Sequence, residues 1–188
     1  MSASSPDGDL KHLPLDPPVL YLVRHAKAGS RYRFDGPDAE RPLTPKGAEQ
    51  ARQLAALMDT SPRSVRRALS SPAARCVQTI EPIARSAGVD VEPADWLSEG
   101  EDPVPAFAKL CRMAEQADSP DAEGGPVVAC THGDIMWGVI DRLARQGIDL
   151  GEQPDSPKGG LWVIRLATEA ATSEEVAGAW LVRPEEAP

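Results

Sequence analysis

The chain has 188 residues, 41% of them hydrophobic, with a formal charge of −9 and a pI near 4.8. That length supports one sizeable core and a single domain, and the acidity excludes a dedicated nucleic-acid binder, whose phosphate contacts need clustered cations. No apolar run approaches the ~20 residues of a membrane span, the polar start Met1 to Asp9 lacks a signal peptide's apolar segment, and the three scattered cysteines, Cys76, Cys111 and Cys130, read as reduced core thiols. Together these features predict a cytoplasmic protein.

Residues 1–18, rich in Ser, Asp and Pro, predict a flexible tail in which His12 has no assigned role. Val19 to Val23 is a continuous apolar run, the pattern of a strand buried on both faces, and it stops at Arg24 and His25. A buried strand is thus aimed at a charged site. Ala26 to Pro42 has no helical or strand period and carries Lys27, Arg31, Arg33 and Arg41; it is either a cover for an anionic ligand or a solvated charged loop.

Thr44 as N-cap, Pro45 at the first helical position, and Ala51, Leu54, Ala55 and Met58 at helical spacing predict an amphipathic helix that ends near Ser61-Pro62. Ser64 to Leu69 is a strand candidate. After it, Ser71 and Pro72 are expected to cap and open a helix that carries Arg75 in its first turn. A cation at the positive end of a helix costs stability, so Arg75 is best explained by an anion shared with the helix terminus.

Val89 to Glu92 is a third strand candidate, followed by a loop from Ala94 to Gly100 that contains Trp96 and Glu99. Asp102 and Pro103 then open a helix through Phe107, Leu110 and Met113, which gives way to a loop over Asp118 to Gly125. Pro126 to Asp134 repeats the opening architecture: an apolar strand ends at Thr131, His132 and Gly133, and a helix through Ile135, Met136, Val139, Ile140 and Leu143 follows. A polar loop containing Lys158, strands over Leu161 to Leu166 and Ala179 to Val182, and a short tail over 184–188 complete the chain. Alternating strands and helices predict an α/β fold with a mostly parallel sheet and an antiparallel edge. In such sheets ligands bind outside the carboxyl ends of the strands, which is where His25 and His132 fall.

Arg24-His25-Ala26, Arg75 after Ser-Ser-Pro, Glu99 after Trp96-Leu97-Ser98, and Thr131-His132-Gly133 stand in the order seen in the histidine phosphatases, which the chain resembles over roughly residues 19–166. Arg41-Pro42-Leu43-Thr44-Pro45-Lys46-Gly47 resembles the small bacterial branch that includes phosphohistidine phosphatases, and also the phosphatase domain fused behind mycobacterial Nudix hydrolases. No Nudix portion occurs in these residues, so nucleotide specificity does not carry over with the resemblance. What the resemblance implies is a single-domain, three-layer, phosphoglycerate mutase-like sandwich over residues 19–183. It departs from the signature at Ala26, which replaces a glycine.

The chemistry of the residues agrees. A neutral imidazole can attack phosphorus and hold the phosphoryl group covalently, which makes His25 the expected nucleophile. Arg24, Arg75 and His132 would donate to the oxygens that gather charge during transfer, and Glu99 would serve as general acid and then base. Lys27, Ser30, Arg31 and Lys158 are expected to contact the remainder of the substrate. Neither a metal nor another cofactor is required. The expected substrate is a phosphorylated small molecule, a nucleotide polyphosphate or a phosphohistidine protein. A non-catalytic phospho-ligand binding module and a phosphomutase remain as alternatives, although the chain is short for a mutase's substrate-covering insertions.

Overall fold

The apolar run forms β1 (Val19–Arg24), a central strand whose alternate residues enter different cores: Leu20 and Leu22 on one face, Val19, Tyr21 and Val23 on the other. In a computed structural model, residues 10, 13, 18–118, 124–167 and 175–183 are described. His12, the tail at 184–188 and residues 119–123 of the expected acidic loop lie outside them. Chain order then gives α1 (Pro45–Met58), β2 (Arg67–Ser70), α2 (Ala74–Ala87), β3 (Val91–Pro93), α3 (Pro103–Ala117), β4 (Val127–Thr131), α4 (Gly133–Arg145), β5 (Leu161–Leu166) and β6 (Val176–Val182).

The six strands form one mixed sheet in the order β3-β2-β4-β1-β5-β6. β3, β2, β4 and β1 run parallel, while β5 and β6 add the expected antiparallel edge. Residues from α3 and α4 pack with one face of the sheet, and residues from α1 and α2 with the other. This is the three-layer, phosphoglycerate mutase-like arrangement. Burying one large aliphatic side chain contributes roughly 1.5–3 kcal/mol, so the five successive buried apolar residues of β1 anchor it in both cores. No helix among the described residues is long and apolar enough to cross a membrane.

Local signals explain most element starts. Thr44 Oγ1 accepts the Gly47 N–H at 3.1 Å and caps α1; Asp102 Oδ1 accepts the Val104 N–H at 2.9 Å and caps α3. The second helix departs from expectation. Its N-cap is Ala73, without a side-chain bond; the Ser71 hydroxyl faces His132 Nε2 at 2.9 Å and accepts the Ala73 N–H at 3.4 Å, short of the first turn. β2 begins at Arg67 and β3 at Val91, each later than the apolar pattern suggested, and β6 begins earlier, at Val176. Leu10 also departs from the reading of a loose tail. It is fully buried in the core beside α1, and its N–H donates to Thr60 Oγ1 at 3.3 Å.

The start of α1 is clamped to the segment after β1. Lys27 O accepts from both the Thr44 N–H (2.9 Å) and the Thr44 hydroxyl (3.0 Å). Gly47 lies directly over that carbonyl, and a Cβ built there would stand 2.0 Å from Lys27 O. Gly47→Ala is therefore expected to lower stability by roughly 1–3 kcal/mol through overpacking, read as a lower midpoint in urea or thermal denaturation. An unchanged midpoint would show that the contact is slack.

Candidate active site

Parallel pairing sets the two histidines side by side. Arg24 is in register with Thr131, so His25 and His132 are the next residues out of their strands, and the His25 N–H donates to Thr131 O at 3.0 Å. Their ring centroids lie 5.4 Å apart with the planes inclined by 64°. The first turn of α2 supplies Arg75, and the loop after β3 supplies Glu99. His25, Arg75 and His132 are 7%, 2% and 2% exposed, so the centre is built from buried polar groups.

A carbonyl oxygen can only accept. The 2.8 Å contact between His25 Nδ1 and Ala26 O therefore assigns the ring proton to Nδ1 and leaves the lone pair on Nε2. Burial, aided by the charges of His132, Arg75 and Arg24, lowers the His25 pKa to about 4. The ring is neutral at pH 7. Ala26 is fully buried and does not line the cleft; its N–H donates to Thr79 Oγ1 at 3.0 Å, so the methyl that replaces the signature glycine's hydrogen stays out of the site.

Arg75 is held at both terminal nitrogens. Its Nη1 donates to Asp38 O at 2.8 Å and lies 3.1 Å from Asp38 Oδ2, while Nη2 donates to Glu99 Oε2 at 3.0 Å and to His132 Nδ1 at 3.3 Å. His132 Nε2 faces Ser71 Oγ at 2.9 Å and Cys76 Sγ at 3.5 Å, so both of its ring nitrogens have protein partners. Arg24 Nη1 donates to Ser156 O. Arg24 Nε and Arg75 Nε are buried donors without an acceptor among the described residues.

These groups border a cleft of about 690 Å³. Arg24, His25, Glu99 and His132 line it, as do all four residues expected to touch the rest of a substrate, Lys27, Ser30, Arg31 and Lys158; Arg75 is buried and is not among the lining residues. Burial, followed by Arg24, Arg41, Lys27 and Arg75, lowers the Lys158 pKa, a sign of how much positive charge converges here. Of the three neighbouring acids, only Glu99 reaches the cleft. Asp102 caps α3, and Glu101 is exposed elsewhere.

Sequence reasoning missed the residues that position these. Asp38 binds Arg31, Arg41 and Arg75, and its carboxyl is held down at about 2, chiefly by the hydrogen bond from Arg41. Three acids, Asp35, Asp38 and Glu40, stand among the four cations of the loop after β1, so the sequence did not single out Asp38. Ser71 was visible only as a presumed helix cap. Asp134 Oδ2 accepts the Gly100 N–H at 2.6 Å and so ties the Glu99 loop to α4. Gly133 gives Arg24 its room, since a Cβ there would stand 2.8 Å from Arg24 Nη2. Among the described residues, no three His, Cys, Asp or Glu side chains are grouped to hold a metal ion.

Comparison with known proteins agrees with this geometry. The sequence model described as the histidine phosphatase superfamily (branch 1) matches residues 20–102. The chain belongs to the histidine phosphatase superfamily. Over 155 residues it is 32% identical to an 8-oxo-(d)GTP phosphatase of Mycolicibacterium smegmatis, covering 82% of this chain but 46% of the relative. The chain thus spans about half the length of that curated protein. Among solved structures, the protein histidine phosphatase SixA complexed with tungstate superposes with a TM-score of 0.67 at 20% identity, covering 88% of this chain and 97% of that one. A mycobacterial glucosyl-3-phosphoglycerate phosphatase gives 0.61 at 17%, covering 88% and 97%. At these identities the structural likeness is one of fold.

Two measurements test the site of this member of the histidine phosphatase superfamily. In an NMR titration the His25 Hε1 resonance is expected to move with a midpoint near 4; a midpoint near the free value of about 6.5 would mean that the ring is solvated. Gly133→Ala, by displacing the Arg24 guanidinium, is expected to weaken calorimetric binding of inorganic phosphate by roughly 10- to 100-fold, the value of one hydrogen bond to a charged group.

Proposed function

We propose that the chain is a phosphatase that removes a terminal phosphoryl group through a covalent phosphohistidine at His25. The observation that carries this reading is the neutral, buried His25 ring, its Nδ1 proton tied to Ala26 O and its Nε2 lone pair left beside His132 and two arginines. An imidazole so prepared is a nucleophile rather than a cation.

In the first step Nε2 attacks phosphorus. The P–N bond forms as the P–O bond to the leaving group breaks, and the departing oxygen takes a proton from Glu99, which its carboxylate has gained from solvent once the phosphate has displaced it from Arg31 and Arg75. Arg24 and Arg75 receive the charge that spreads over the equatorial oxygens, and their buried Nε–H groups are donors that an oxyanion satisfies. Because Glu99 accepts from Arg75 and Arg31, phosphate oxygens compete for those same donors and release the carboxyl for proton transfer. In the second step Glu99 takes a proton from water, whose oxygen attacks phosphorus; the P–O bond forms, the P–N bond breaks, and the electron pair returns to Nε2.

The cleft volume falls in the range typical of small-molecule sites, which favours a phosphorylated small molecule over a phosphoprotein. The relative's action on 8-oxo-(d)GTP lends support to a nucleotide. We further read residues 19–183 as one phosphatase domain. A cytoplasmic setting is supported by Cys76, Cys111 and Cys130, which are buried and not joined in disulfides. The charge of −9 argues against a nucleic-acid partner.

Rapid-quench labelling with a γ-³²P nucleotide is expected to give an acid-labile, alkali-stable phosphoenzyme with the wild type and none with His25→Ala, whose turnover falls roughly 10³-fold or more. Full turnover by His25→Ala would remove the nucleophile assignment. Glu99→Gln is expected to slow poor leaving groups by about 10²-fold and anhydrides much less; equal losses on both would assign Glu99 to positioning instead.

A further inference from the structure

The chain has four tryptophans, two tyrosines and two phenylalanines, and among these only Tyr32 and Trp137 are exposed, at 98% and 47%. Both line the same cleft as His25. Trp137 interrupts an otherwise regular amphipathic helix: Ile135, Met136, Val139, Ile140 and Leu143 are buried, whereas Trp137 stands on the opposite side, one turn beyond Gly133. Tyr32 comes from the loop after β1, next to Arg31. Two distant segments of the chain thus bring uncovered aromatic rings to the rim of one charged site. Core packing explains neither.

The charge of the cleft points the same way. Arg31 and Arg41 are paired with Asp38, and Arg31 and Arg75 with Glu99. Lys27 and Lys158, which also line the cleft, have no carboxylate partner among the described residues. One transferred phosphoryl group is accounted for by Arg24, Arg75 and His25; the two lysines add cationic capacity beyond it. A sugar monophosphate would leave that capacity unmatched and would make little use of flat aromatic faces. A planar base joined to more than one phosphate uses both.

Resting on the phosphatase reading above, we infer that Trp137 and Tyr32 hold the base of a nucleoside polyphosphate, with Lys27 and Lys158 meeting the phosphate next to the one transferred. Stacking suits this role because an aromatic side chain offers its face to any base. The two rings therefore set selectivity for a nucleoside over a bare anhydride rather than for one base over another.

The test compares adenosine and guanosine diphosphate with inorganic pyrophosphate, which shares the anhydride and lacks the base. Wild type is expected to show a higher kcat/KM for both nucleotides than for pyrophosphate. In Trp137→Ala that preference should shrink roughly 10- to 100-fold, the equivalent of one base–aromatic stack; Tyr32→Ala should shrink it in the same direction, and Trp137→Phe should keep most of it. A wild type without the preference, or a preference unmoved in Trp137→Ala, overturns the inference. Calorimetric binding of the same three compounds separates the two readings. If no compound is turned over, the phosphatase reading fails for anhydrides. The base site then stands if nucleotides bind more tightly than pyrophosphate and lose that margin in Trp137→Ala, and falls if they do not.

Discussion

The pairing of β1 with β4 is the constraint on which the rest of the molecule depends. Because the two strands are parallel neighbours and Arg24 is level with Thr131, two histidines far apart in sequence leave the sheet at the same height. The His25 N–H bonded to Thr131 O locks that height by one more hydrogen bond. A slip of one residue would turn Leu20 and Leu22 out of their core and Tyr21 and Val23 out of theirs. Precision at the site therefore comes from hydrophobic packing well away from it.

The segment between β1 and α1 is the second organising piece. It is closed at its base by the Ala28–Leu43 bridge, by the Gly29 N–H on Pro42 O, by Thr44 on Lys27 O and by Arg41 Nη1 on Gly29 O. With its ends fixed, the remaining residues can carry charged and aromatic side chains to the rim with no more regular structure than one 3-10 turn, Asp38–Glu40. The same closure places Asp38 where it meets three arginines. Scaffold and site share one set of contacts here.

Legibility in the sequence followed the range of the interaction involved. Strand ends at His25 and His132, the Thr44 and Asp102 caps and the antiparallel edge were readable because they rest on local period and local hydrogen bonding. Ser71 was misread for the same reason: Ser-Pro before a helix is an ordinary capping signal, and only the fold shows that its hydroxyl faces His132, 61 residues on. Asp38 had no period to betray it, and the partner that ties it to the site, Arg75, comes from another element. Leu10 sits in a polar stretch whose composition says nothing of the pocket that one leucine finds beside α1. Trp137 was hidden by its own chemistry, since an apolar residue in an amphipathic helix is by default assigned to the core.

Asp38 and Glu99 have a further consequence when regarded as anions in their own right. Together they lend Arg31, Arg41 and Arg75 two negative charges, so these guanidiniums need not collapse onto other acceptors or repel one another apart. An incoming ligand at Arg75 therefore replaces carboxylates rather than water. Such an exchange is favourable only for an anion with more charge, or a better fit to the guanidinium fork, than the carboxylate it displaces. The loop acid and Glu99 thus act as a threshold: a singly charged phosphodiester meets it with nothing to spare, whereas a doubly charged terminal phosphoryl group passes.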